Sequence, residues 1–204
     1  MPANQQHGFL WEEEIKTKVF QVNAPAGYTD THDIAKELNR FDSNETISIK
    51  VTGSGTVCMG DALRLFRYSP DETHTGIVVK YTQDGETKTL SGVVELNLSD
   101  REALWGSVTE EDVMGLDALV RSMPAGPRDP DIDLQIAAKK HALNAKSGAI
   151  RFNPKLDSKT QRRLQCSITN FATAPRLIRS STSEALVRGV AIAASLVSGR
   201  RVRH

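Results

Sequence analysis

The stretch Thr46-Ile47-Ser48-Ile49-Lys50-Val51-Thr52 constrains the fold more than any other part of this chain. β-Branched residues alternate with polar ones, which is the period of a strand. Ile47, Ile49 and Val51 share one face, and Ser48, Lys50 and Thr52 share the other. Gly53-Ser54-Gly55 then breaks or bulges the strand. Two further strands, Gly76 to Thr82 and Thr87 to Leu98, are joined by Asp84-Gly85, a strong hairpin turn. A short strand is expected over Ala149 to Phe152.

The rest reads as helix. From Gly8 to Val22, Trp11, Ile15, Val19 and Val22 recur at helical spacing. Thr31 to Leu38 fits either a short helix or an extended segment ending in a turn. Asp61 to Tyr68 reads as a short helix with Leu63 and Phe66 inward and Arg64 and Arg67 outward. Ser99 to Met123 is acidic and helical, with Trp105 as an anchor. Asp129-Pro130 opens another helix, with Asp as N-cap and Pro at the first position, and Ser147-Gly148 stops it. Ser158-Lys159-Thr160-Gln161 has the form of a capping box and starts a helix carrying Leu164, Ile168 and Phe171. Ser183 is expected to cap a last, Ala-rich helix ending at Gly199. The sum is an α/β protein with a small mixed central sheet flanked by helices and a basic, helical C-terminal region. Pro124-Ala125-Gly126-Pro127 divides residues 1–123 from residues 124–204.

Charge is distributed unevenly along that plan. Residues 139–204 carry 14 Lys/Arg against 2 Asp/Glu, while residues 1–138 carry 12 against 23. Such asymmetry points to a polyanion partner, nucleic acid above all, because clustered cations gain affinity by releasing its counterions. The bland alternative is that the two regions pack together and neutralise each other. No run of about 18 apolar residues exists to span a bilayer. Met1 to Gln6 lacks the basic-then-apolar form of a signal peptide. Cys58 and Cys166 have neither metal-ligand spacing nor a disulfide framework, so a cytoplasmic protein with reduced thiols is expected. His32, His74 and His141 show no ligand spacing, and Thr52-Gly53-Ser54-Gly55-Thr56 lacks the Gly-Lys-Ser/Thr ending of a phosphate loop.

An acidic residue on the first helix, then Asp33, then Ser48-Ile49-Lys50 on a strand form the constellation that carries chemistry. In this order the chain resembles the PD-(D/E)XK superfamily of restriction-endonuclease-like nucleases. Gly8, four residues before Glu12, is similar to the opening helix of its resolvase branch. The resemblance covers roughly residues 8–81, making 1–123 a nuclease-like core. Ser48 stands where the family places an acid two residues before the lysine, so a second carboxylate must come from elsewhere. Glu12, Glu14, Glu37, Asp61 and Glu95 are the candidates.

The resemblance implies a Mg²⁺-dependent DNA endonuclease in which Mn²⁺ substitutes, cutting as a homodimer where both strands are cleaved. Asp33 would be the main metal ligand and Glu12 an outer one. Lys50 would orient or deprotonate the attacking water, and Ser48 would hold a water by hydrogen bonding. Lys155, Lys159, Gln161, Arg162 and Arg163, gathered at a helix start, would grip the nucleic acid. Two rival readings remain at this point: a nucleic-acid-binding protein without catalysis, and an assembly protein whose acidic and basic surfaces pair between copies.

Overall fold

The computed structural model describes residues 10–22, 32–67, 73–124, 126–156 and 162–197. In chain order the elements are helix α1 (10–19), β1 (Glu45–Thr52), β2 (Thr56–Asp61), α2 (Ala62–Phe66), β3 (Thr73–Asp84) and β4 (Thr87–Asn97). Then follow α3 (Arg101–Trp105), α4 (Glu110–Ser122), α5 (Pro130–Lys146), β5 (Ile150–Lys155) and β6 (Arg163–Thr169). The chain ends in β7 (Ile178–Thr182), β8 (Leu186–Val187), β9 (Val190–Ala191) and β10 (Ser195–Val197).

Two sheets organise these elements. In the first, β1 runs parallel to β3, β3 pairs antiparallel with β4, and the far edge of β4 is shared by β7 and β10. The second is the antiparallel set β2-β6-β5. A mixed α/β architecture is therefore present. Residues after Pro124 supply strands to both sheets. β1 and β2 are consecutive but belong to different sheets, so they diverge after Gly53-Ser54-Gly55. That divergence opens the cleft described below.

Each face of the first sheet has its own core. Val78, Val94 and Leu96 pack on the inner face of the second sheet (Val57, Ile150, Phe152, Leu164, Cys166, Ile168) and on α3, α4 and α5. Ile47, Ile49, Ile77 and Val79 pack on α1 through Trp11, Ile15 and Val19, and on Val187 and Ile192. The indole Nε1 of Trp11 donates to the Ala193 carbonyl at 2.9 Å, satisfying the one polar atom that burial would otherwise strand. The last turn of α1, Ile15–Val19, is π-helical.

Two expected helices are strands. Arg163–Thr169, placed in a helix by the spacing of Leu164 and Ile168, is β6. Residues four apart fit a strand as well as a helix, and Cys166 between them is fully buried on the same face, which only the two-residue period allows. The expected cap at Ser158 lies outside the described residues. The Ala-rich segment after Ser183 is a β8–β9 hairpin followed by β10. Arg188 (φ 50°) and Gly189 (φ 79°) form its turn, both in the left-handed region that two-residue hairpin turns require. The helix expected over Ser99 to Met123 is interrupted at Gly106, where φ is 59°.

Arg188 holds this hairpin to the sheet. Its Nη2 lies 3.0 Å from Glu45 Oε1 and 2.9 Å from Glu95 Oε2. Glu45 also accepts from Thr75 (2.6 Å), Asn39 (3.1 Å) and Arg179 (3.2 Å). Burial pushes the Glu45 carboxyl up, but the bonds from Arg188, Thr75 and Asn39 and the Arg188 charge outweigh it, holding it below the usual 4.5. The network's stabilisation is therefore full above about pH 4.5 and fades as acid protonates Glu45. Arg188→Ala leaves two buried carboxylates without their shared cation and should cost about 3 kcal/mol. A lower urea midpoint at unchanged slope is the expected reading.

Candidate active site

The outer edge of β1 places the first functional group. Beyond β1 on that side runs a short bridge in which Ile34 N–H donates to the Ile47 carbonyl (3.0 Å) and Ile47 N–H donates back to Ile34 (2.9 Å). The next N–H on the same edge, that of Ile49, donates instead to the Asp33 carboxylate, Oδ2, at 2.6 Å. A charged acceptor shortens and strengthens such a bond. Lys50 Nζ reaches the same oxygen at 3.2 Å and the Ile49 carbonyl at 3.0 Å. The structure thus brings Asp33 and Lys50 together from residues 17 apart in sequence.

Around this pair lies a cavity of about 190 Å³, lined by His32, Asp33, Ser48, Lys50, Met59, Gly60, Asp61, Arg64, Leu65 and His74. It sits where β1 and β2 part. Organic ligands of ordinary size need about 300–1,000 Å³, so this space suits a phosphate group or a hydrated ion. The β2 side is shaped by a bulge: the β2–β6 register shifts between Cys58 and Gly60, and Gly60 adopts φ 85°. A side chain at Gly60 would be strained there. One Asp61 oxygen caps α2 by accepting the Arg64 N–H at 2.8 Å.

Among Glu12, Glu14, Glu37, Asp61 and Glu95, Asp61 lines this cavity. Glu95 and Glu14 are engaged elsewhere, with Arg188 and with Lys18 and the Ala193 N–H. Glu37 is exposed on a 3₁₀ turn. Glu12 stands behind the cavity. It accepts from the buried Lys16 at 2.6 Å, and Lys16 in turn lies 3.9 Å from Asp33 Oδ1. Glu12 therefore meets Asp33 through a lysine. Among the described residues, no three His, Cys, Asp or Glu side chains gather closely enough to hold a metal by themselves.

Two histidines belong to the site that spacing in sequence did not reveal. His74, on β3, places Nε2 2.9 Å from Ser48 Oγ, and its ring meets His32 edge-on at 5.3 Å. Burial, followed by the neighbouring His32 and Lys50 charges, drives the His74 pKa down to about 3. The imidazole is neutral across the working pH range and fixes the Ser48 hydroxyl as a hydrogen-bond partner.

The expected nucleic-acid contacts divide. Lys155 and Arg163 are opposite one another on β5 and β6. Arg162 donates to the carbonyls of Leu156 and Pro124, the latter at 2.9 Å. Lys159 and Gln161 lie outside the described residues, as does Gly8. Cys58 is exposed and Cys166 buried, both as free thiols. Among the described residues, no helix is long and apolar enough to cross a membrane.

No family model, curated protein or solved structure matches this chain.

His74 carries a measurable pH signature. The unfolded chain protonates it near 6.5 and the folded chain only near 3, so its contribution to stability is present above pH 6.5 and is lost as pH falls. His74→Gln should remove about 2–3 kcal/mol of the stability difference between pH 7 and pH 4. Urea unfolding of both proteins at the two pH values checks this.

Proposed function

We propose that this chain is a metal-dependent endonuclease that hydrolyses phosphodiester bonds in DNA, on a restriction-endonuclease-like arrangement. The observation that carries the reading is the Asp33 carboxylate 3.2 Å from the Lys50 ammonium at the wall of a cavity too small for most organic substrates. The helix–acid–strand-lysine order of the sequence supports it, as does the divergence of β1 from β2 that leaves the pair accessible. Intracellular action on DNA accords with the free thiols.

The oxygen donors suit a hard cation. Asp33 and Asp61 supply carboxylates and Ser48 a hydroxyl in one cavity, and Mg²⁺ asks for one or two carboxylates while keeping several waters. Mn²⁺ would substitute. The chemistry a bound ion supplies is polarisation of the phosphoryl oxygens and acidification of water. The chain's own residues do the rest. The Ile49 N–H fixes the Asp33 carboxylate in direction. Lys50 orients the attacking water and offsets charge growing on the phosphate. Ser48, held by neutral His74, positions a water where the family's acid would stand. Glu12 acts at one remove, by setting Lys16. Cleavage of both strands would call for a homodimer.

A second reading has one observation in its favour. Ser48 in place of an acid fits a DNA-binding protein that has lost catalysis.

Supercoiled plasmid separates the two. The nuclease reading expects nicking that needs Mg²⁺ or Mn²⁺ and falls by roughly 10²–10³-fold in Lys50→Ala and in Asp33→Asn, with DNA retention intact. Asp61→Asn should raise the metal concentration needed for half-maximal nicking, while Glu37→Gln leaves it unchanged. Retention of plasmid without nicking in either metal would replace the enzyme by the binder.

A further inference from the structure

The cations of the basic third are not equivalent once folded. Lys146 pairs with Asp112, Arg176 with Asp100 and Glu102, Arg179 with Glu45, and Arg188 with Glu45 and Glu95. Arg151 and Arg162 donate to backbone carbonyls. Among the described residues, two pairs have no ion-pair partner: Lys139 and Lys140 on α5, and Lys155 and Arg163 on the second sheet.

The second pair lies on a continuous polar surface. In β5 and β6, Ile150, Phe152, Leu164, Cys166 and Ile168 point into the core. The alternate positions lie on the other face, where Arg151 and Arg163 are exposed, Asn153, Lys155 and Gln165 half-buried and Ser167 buried, and register places Asn153 opposite Gln165 and Lys155 opposite Arg163. The Asn153 amide donates to Ser167 Oγ at 2.8 Å on this same face. On the next strand Gln165 is opposite Asp61, which lines the candidate active site. Arg163 therefore stands two strand residues, about 7 Å, beyond the cavity wall. Arg64, exposed at the cavity rim, extends the positive field on the other side.

We propose that the outer face of the three-stranded sheet is the surface on which duplex DNA lies, with Lys155 and Arg163 holding phosphates and Gln165 hydrogen-bonding beside them. The orientation, cavity at one end and cations at the other, rests on the reading of the cavity as a phosphodiesterase site. Charge complementarity chooses the occupant: exposed Arg163 and half-buried Lys155, with the Gln165 amide beside them, fit a regular polyanion, and the duplex carries one phosphate per about 3.4 Å of helix axis on each strand. About 7 Å of strand thus spans roughly two phosphates.

The test is binding of a fluorescein-labelled 20-base-pair duplex to the full chain in EDTA at several salt concentrations. Lys155→Gln/Arg163→Gln should lower affinity at least about tenfold and reduce the salt slope by about 2. Gln165→Ala should weaken binding without changing the slope. Lys139→Gln/Lys140→Gln removes the same charge from α5 and should leave both unchanged. Equal thermal midpoints keep folding out of the comparison. The proposal is overturned if the Lys155/Arg163 variant binds like the parent, if the α5 variant takes the loss instead, if the parent binds no duplex, or if an RNA duplex binds more tightly through the same residues. Plasmid nicking is scored separately. A parent that binds through this face yet cuts in neither metal leaves the surface standing and removes the nuclease.

Discussion

The Ile49 N–H that ends on the Asp33 carboxylate is the contact on which the site depends. A strand edge presents backbone donors that need acceptors. At β1 the bridge with residue 34 satisfies the first of these and extends no further. The carboxylate takes over as the next acceptor. A backbone need thus fixes the direction of a side chain, and that carboxylate carries the charge that attracts Lys50. Replacing Asp33 by Ala would remove this edge cap along with the carboxylate, whereas Asn, able to accept the same bond through its amide oxygen, removes the charge alone.

The two faces of the first sheet handle charge differently. On one, Glu45 and Glu95 are closed by arginines arriving from the far end of the chain, and Arg188 among them holds the β8–β9 hairpin. On the other, Asp33, Lys50 and Asp61 face a cavity and keep part of their capacity. The opposed charges of the two chain regions are largely an intramolecular affair: Arg176, Arg179, Arg188 and Lys146 meet acids of the first two-thirds. The bland reading of the charge split explains those four. It does not explain Lys139, Lys140, Lys155 and Arg163, and that remainder of charge, not the total, is what a partner would meet.

Much of this plan was legible in the amino-acid order, and its gaps have physical causes. The β1 alternation, the Asp84-Gly85 hairpin and the Asp129 cap are local signals, and each element formed where its signal lay. Asp33 and Lys50 were legible as types and order. The convergence of His74 with Ser48 was not, since it depends on parallel pairing of β1 with β3, a register no local pattern encodes. β6 was misread because Leu164 and Ile168 satisfy both periods. The decisive residue was Cys166, small and apolar at a position a helix would turn outward. At the chain end, alanines favoured helix by propensity, but Arg188-Gly189 between β-branched residues set a turn, and tertiary contacts from Arg188 outweigh that weak preference.

The bulge at Met59 shapes both the cavity and the polar face beside it. With an unbroken β2, the residues beyond Cys58 would keep strict alternation, and Asp61 would fall on the core-facing side, opposite Leu164. One extra residue shifts the register, puts Gly60 opposite Cys166 and moves Asp61 opposite Gln165. The left-handed backbone of Gly60 makes this possible without strain. Asp61 then does three things from one position: it caps α2, it lines the cavity with Asp33, and it stands at the end of the polar face that runs to Arg163. A cleft between diverging strands would exist without the bulge. Continuity between that cleft and a cationic surface would not, and on the proposed nuclease reading this continuity would let one phosphate be held while its neighbour is presented to Lys50.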